Sequence, residues 1–304
     1  MGKLEILFFV VLVLGLSAAV YVLWLNAPQP TKNYEGFVSN YSSPLISNES
    51  QFFPNMRYRD RIISYQISDS CSQEKINDIK EAFDIISEKT ILTFYNLNEG
   101  AEINISCPER KMEPDPKGYF IAGEGGKPTY IKTAYYTIMF SSEMELYTSE
   151  TCKTPQIAIH EILHTLGFGH VANPDSILYP VTSCDKQIDQ SIIDEINRLY
   201  KADSLIDLEI EKVDAIKQGA YVNISISIGN QGLKDSANSK LTISTENGAV
   251  KDFEIGELPI GSRRDNVISN LKIDSKAKTL IFTIESFEEE LTLINNIVRI
   301  SLTD

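Results

Sequence analysis

His160-Glu161-Ile162-Leu163-His164-Thr165-Leu166-Gly167-Phe168-Gly169-His170 contains all three histidines of this 304-residue chain. The stretch fits H-E-x-x-H-x-x-G-x-x-H. On a helix, His160 and His164 stand i, i+4, so they project from one face and can share a metal ion. Glu161 follows the first ligand, where its carboxylate can reach a water on the metal without being a ligand itself. Gly167 can take the positive φ that ends a helix and turns the chain back, which would return His170 as the third ligand. Three imidazoles leave a fourth tetrahedral position open, as a zinc site that does chemistry requires. A bare H-E-x-x-H arises by chance on ordinary amphipathic helices. The added glycine and third histidine make this match specific, and a chain using histidine for packing or surface polarity would scatter its few copies.

Outward from this stretch, the length suggests two domains, each able to bury a core. A formal charge of −14, with nothing that supplies a basic stripe, argues against a nucleic-acid binder. Ile6 to Leu25 is uncharged and mostly apolar, and about 20 residues at ~1.5 Å each span roughly the 30 Å of a bilayer core. Residues 1–25 therefore read as a membrane anchor or a signal segment. The run exceeds the usual signal-peptide length, which favours an uncleaved anchor, and a secreted form after cleavage is the alternative. Either reading exports the rest of the chain, and the anchor reading gives a single-pass protein with its C-terminal ectodomain outside the cell membrane. The four cysteines, Cys71, Cys107, Cys152 and Cys184, suit two disulfides in such a setting, and by themselves they allow three pairings.

Residues 26–50 read as a polar tether, 51–204 as one globular unit and 205–304 as another. In the first, Tyr58 to Ile67 predicts a strand. Ser70-Cys71-Ser72-Gln73 fits a capping box for a helix carrying Ile76, Ile79, Phe83 and Ile86. Ile91 to Tyr95 and Ile103 to Ser106 predict short strands, Gly118 to Tyr130 a loop plus an edge strand, and Tyr135 to Phe140 another strand. Thr154 and Pro155 supply N-cap and first position for the helix of the histidine motif. Ile192, Ile193, Ile196, Leu199 and Tyr200 mark a third helix. The class is α+β, a twisted mixed sheet plus three helices. Beyond Lys201, six or seven short Val-, Ile- and Thr-rich runs separated by turn signals predict an all-β sandwich without His or Cys.

With these residues the chain resembles the metzincin zinc metalloproteases, specifically the matrixins, over about residues 55–202. Ser176-Ile177-Leu178-Tyr179-Pro180 is similar to the matrixin turn beneath the metal, with Leu178 in the place of the methionine. Leucine is close to methionine in volume, so a working site is expected. Asp194 is similar to the acidic residue of the third matrixin helix that braces this turn. The resemblance implies disulfides Cys71–Cys107 and Cys152–Cys184, the second clamping the metal site. The inhibitory propeptide cysteine and the second, histidine-bound zinc of the matrixins are missing, while calcium through Asp or Glu stays open as an unsupported alternative. The C-terminal unit is similar to immunoglobulin-like modules of the CARDB type, through Asn230-Gln231-Gly232 and Asn295-Asn296.

The resemblance implies a zinc endopeptidase, EC 3.4.24 class. His160, His164 and His170 would hold one catalytic Zn²⁺, and Glu161 would activate a zinc-bound water. A protein or peptide would lie along the edge strand near Gly118 to Tyr130 as substrate. The rival reading is a surface adhesion or binding protein with an inactive zincin domain; Glu161 argues against it, because a binding module needs no base there. Other partners are the lipid bilayer, through the N-terminal segment, and a surface partner for the sandwich. Since the metal motif, turn and third helix are complete by Lys201, the sandwich is expected to be separable from catalysis.

Overall fold

A computed structural model describes residues 50–109, 121–148, 152–181 and 183–302. The anchor or signal segment expected over 1–25 and nearly all of the tether lie outside these residues. Among the described residues, no helix is long and apolar enough to cross a membrane.

The first unit is a six-stranded sheet with three helices: β1 (Met56–Tyr58), β2 (Ile62–Ile67), α1 (Gln73–Lys89), β3 (Thr93–Asn96), β4 (Ile103–Ser106), β5 (Gly123–Lys132), β6 (Thr137–Leu146), α2 (Gln156–Thr165) and α3 (Gln190–Leu199). The strand expected over Tyr58 to Ile67 is two. β1 pairs with β6 and β2 with β3 and β4, all parallel. Arg59 to Arg61 make the break, because one straight strand cannot serve two places in the sheet. β5 runs antiparallel along the whole of β6. β1 and β4 therefore share the other edge of β6, at Thr137–Met139 and Ser142–Glu145. Among the described residues, β5 is thus an edge strand, paired with β6 alone.

Both expected caps sit elsewhere. Ser72, not Ser70, caps α1, its hydroxyl accepting from the Lys75 amide, while Ser70 Oγ accepts from Cys107 N. At α2 the cap is Pro155 rather than Thr154, whose hydroxyl accepts from the Gln156 side chain at 2.6 Å. Met56, Tyr58, Ile63, Ile79, Phe83, Ile86, Ile103 and Met144 pack with Ile159, Leu163, Leu166 and Ile196 into one core between sheet and helices.

The second unit is a sandwich of seven strands: β7 (Leu208–Gln218), β8 (Tyr221–Asn230), β9 (Lys240–Thr245), β10 (Gly248–Glu254), β11 (Arg263–Lys272), β12 (Thr279–Glu285) and β13 (Ile297–Ser301). One sheet has the order β10-β9-β12-β13 and the other β11-β8-β7. Alternate residues such as Val222, Ile224, Ile226 and Ile228 point into its own core, the period-2 pattern of a strand with one wet face.

The expectation that the sandwich is separable meets a third apolar cluster built from both units. Tyr136 and Ile138 of the first pack with Leu233 and Ile260 of the second. No single run of residues announces that contact, because each side shows only the apolar spacing of its own strands.

Candidate metal centre

Helix α2 carries His160, Glu161 and His164, all buried. Gly167 ends it at φ +93°, and a Cβ there would lie 2.9 Å from Met56 Cγ. Conformation and space thus both demand glycine. The returning chain is pinned by a short N-terminal stretch: Phe52 N donates to Gly167 O, and Gly169 N to Ser50 O. His170 then comes back toward α2 from an exposed position.

The three imidazoles meet through their Nε2 atoms, at 3.0 Å for His160–His164 and 3.2 Å for each pair with His170. Tetrahedral zinc with bonds of ~2.0–2.1 Å spaces its nitrogen ligands by about 3.3 Å, so the donor set fits the ion. Tautomers agree. His160 Nδ1 donates to Ile177 O at 2.6 Å and His164 Nδ1 to Phe168 O at 2.7 Å. With the proton held on Nδ1, Nε2 presents a lone pair. Burial lowers the pKa of all three histidines, and His164 is pushed down to about 4 by burial and by His160 beside it. They therefore stay neutral at ordinary pH, as ligation requires. Among the described residues, no other cluster of three or more His, Cys, Asp or Glu side chains is placed to hold a metal.

Glu161 lies against β5. Burial raises its carboxyl to about 8, the Gly125 N–H donating to it works the other way, and Glu124 adds to the rise. A cation at the histidines favours the ionised form that a base must have. β5 reaches this close because it carries glycine. A Cβ on Gly123 would stand 2.8 Å from Glu161 Cγ, and one on Gly125 would overlap the Glu161 carbonyl oxygen. Of the segment expected to hold the edge strand, Gly118 to Phe120 lie outside the described residues.

Leu178 is fully buried in the first core, and its carbonyl accepts from Val171 N, tying the turn to the His170 loop. Asp194 does not brace this turn. It is exposed, and its carboxylate accepts from Gln190. Asp189 does so instead, accepting from Ser176 Oγ at 2.6 Å and Ile177 N at 3.3 Å. Its place before an apolar-periodic helix is that of an N-cap, the one signal that could have singled it out. Its side chain makes no cap bond because the turn uses it. The disulfides are Cys71–Cys107 and Cys152–Cys184, the second joining the segments before α2 and after the Leu178 turn. Closing loops of this size contributes about 3–4 kcal/mol each in the chain-entropy account.

A mixed-sheet α+β unit with three converging histidines and an adjacent buried glutamate supports a zinc metallopeptidase domain. Residues 56–201 match the family model described as matrixin, and the three-histidine cluster within them fits the zinc that this family uses. No curated protein matches the chain. Among solved structures, a domain from Methanosarcina acetivorans described as belonging to a cell-surface protein aligns at 16% identity. It covers 33% of this chain and 94% of its own, with a TM-score of 0.29. The CARDB domain of a Pyrococcus furiosus protein, solved with di-metal ions, aligns at 12% identity over 33% and 90%, with a TM-score of 0.27.

Proposed function

We propose that the protein is a zinc-dependent endopeptidase, anchored by its N-terminal segment with the remainder outside the cell membrane. The observation that carries the reading is Glu161 beside three histidines whose Nε2 lone pairs converge. His160, His164 and His170 would hold zinc, which would supply a Lewis acid for the scissile carbonyl and for the attacking water. Glu161 accepts the proton of that water and returns it to the leaving amine. The Gly125 N–H steadies the carboxylate between the two transfers. An extended substrate fits as a further strand on the unpaired edge of β5, with its carbonyl facing the histidines. Open-ended binding of this kind is what separates an endopeptidase from an enzyme that trims chain ends. The apolar length of Ile6 to Leu25 supports the anchor.

The test is digestion of a denatured protein, with and without a zinc chelator, and analysis of the products. Internal cuts that vanish with chelator and return with zinc are the expected result. Zinc-loaded protein that makes no cut, or releases only terminal residues, would overturn the reading. The anchor is checked separately: after carbonate extraction of membranes, the full chain should stay in the pellet.

A further inference from the structure

The edge strand β5 has little stiffness of its own. Its pairing with β6 shifts register between Gly126 and Thr129 and again between Thr129 and Tyr130, and Gly126 and Lys127 both take positive φ. A bulged, glycine-rich strand paired on one side holds its place only through its anchors. The Gly123–Gly126 end lies on α2. The other end enters the turn Thr133–Tyr136, and there the second unit takes hold.

Gln231 Oε1 accepts from the Ala134 amide at 2.9 Å. Leu233, fully buried, and Ile260 pack on Tyr136 and Ile138. Gly261, at φ +65°, lets Ile131 of β5 approach so near that a Cβ would lie 2.7 Å from Ile131 Cδ1. From the opposite side, Asn55 Nδ2 donates to Tyr135 O. The connection between the units is short and held at both ends. Arg57 donates to the Ala202 carbonyl, and Leu233 N donates to Leu205 O at 2.7 Å.

We infer that the β-sandwich is part of the catalytic unit, clamping the outer end of the β5–β6 hairpin so that β5 is held along the metal centre, with Leu233 and Ile260 as positioning residues. The inference rests on the reading of β5 as the substrate strand. It assigns the sandwich a role in ordering the cleft.

The test uses the full chain and the variants Leu233→Ala, Ile260→Ala and Gln231→Ala. Leu233→Met serves as the conservative replacement, and Ile226→Val in the sandwich core as a control. Two experiments are read: steady-state kinetics (KM and kcat) on a peptide spanning the cleft, and hydrogen exchange at the Gly123–Gly126 amides. Expected in Leu233→Ala and Ile260→Ala are a KM rise of about 3–10-fold, equivalent to roughly 0.7–1.4 kcal/mol, a kcat within about twofold, and faster exchange. Zinc content should be unchanged, Leu233→Met should restore both readouts, and Ile226→Val should leave both as they are. Gln231→Ala, which truncates no apolar side chain, should move both in the same direction and covers the case in which Leu233→Ala fails to fold. Unchanged KM and unchanged exchange in folded Leu233→Ala and Ile260→Ala protein would overturn the inference. If zinc-loaded protein cleaves no peptide, the proposed function fails, while the exchange rates still decide whether the sandwich orders β5.

Discussion

Asp189 and Ser176, thirteen residues apart, are joined by a 2.6 Å hydrogen bond from hydroxyl to carboxylate. The same carboxylate oxygen accepts from Ile177 N, and Ile177 O is the acceptor for His160 Nδ1. The bond therefore lies one residue behind a metal ligand. It links the start of α3 to the tautomer of an imidazole on α2.

Asp189→Ala leaves Ser176 Oγ and Ile177 N without their acceptor in a nearly dry place. A loss of about 1–3 kcal/mol in stability is expected, with zinc affinity lowered about 10–100-fold through His160. Asp194→Ala should change stability by less than about 0.5 kcal/mol, as an exposed site does. Thermal unfolding and competitive chelator titration of both variants check this. Equal effects would mean that the turn is braced elsewhere.

Glu161→Gln retains size and hydrogen bonding but cannot take a proton. Zinc should stay near one per chain while peptide hydrolysis falls by about 10²–10⁴-fold. Elemental analysis together with initial rates measures both, and a rate equal to wild type would remove Glu161 from the mechanism.

Gly125→Ala puts a methyl group against the Glu161 carbonyl and within 3.0 Å of His164 Cβ. Overpacking of this kind costs about 1–3 kcal/mol. Because the displaced strand is the one beside Glu161, kcat/KM should fall at least about tenfold. Gly100→Ala, where a Cβ would meet nothing within 4 Å, should leave activity as it is. Its φ of +71° limits it to a modest stability loss of about 1 kcal/mol. Comparing the two rates settles whether the close approach of β5 matters.

Asp207 is fully buried in the sandwich, and its carboxyl is pushed up to about 7 from 3.8, by burial first, against the Asn295 amide and with Glu290 and Glu209 adding to the rise. A folded value above the unfolded one means that the native state binds the proton more tightly. Its contribution to stability is full below about pH 4 and is lost as pH rises through about 7. Asp207→Asn removes the ionisation. The variant should gain on the wild type by an amount on the order of 2–4 kcal/mol at pH 8 compared with pH 4. Urea unfolding at the two values checks the sign, and a gain confined to pH 4 would refute it.

Much of the metal centre could be read from the chain alone, because ligation at i, i+4 and a glycine turn are local. Eleven consecutive residues carry the three converging histidines, Glu161 and the bend between them. The sandwich was legible for the same reason, since alternation along Tyr221 to Ile228 is a property of one strand. The two disulfides needed the resemblance as well, for spacing left three pairings open. What only the tertiary structure decided depends on segments distant in sequence. Asp189 braces the Leu178 turn in place of Asp194 because the start of α3, not its middle, faces Ser176. Gly123 and Gly125 matter because β5 lies on α2, and a glycine shows its purpose only when the atom that would clash is known. The joining of the units through Tyr136, Ile138, Leu233 and Ile260 was hidden because each of these residues satisfies the apolar pattern of its own neighbourhood. Burial between two surfaces is a property of the pair, and neither sequence segment carries it alone.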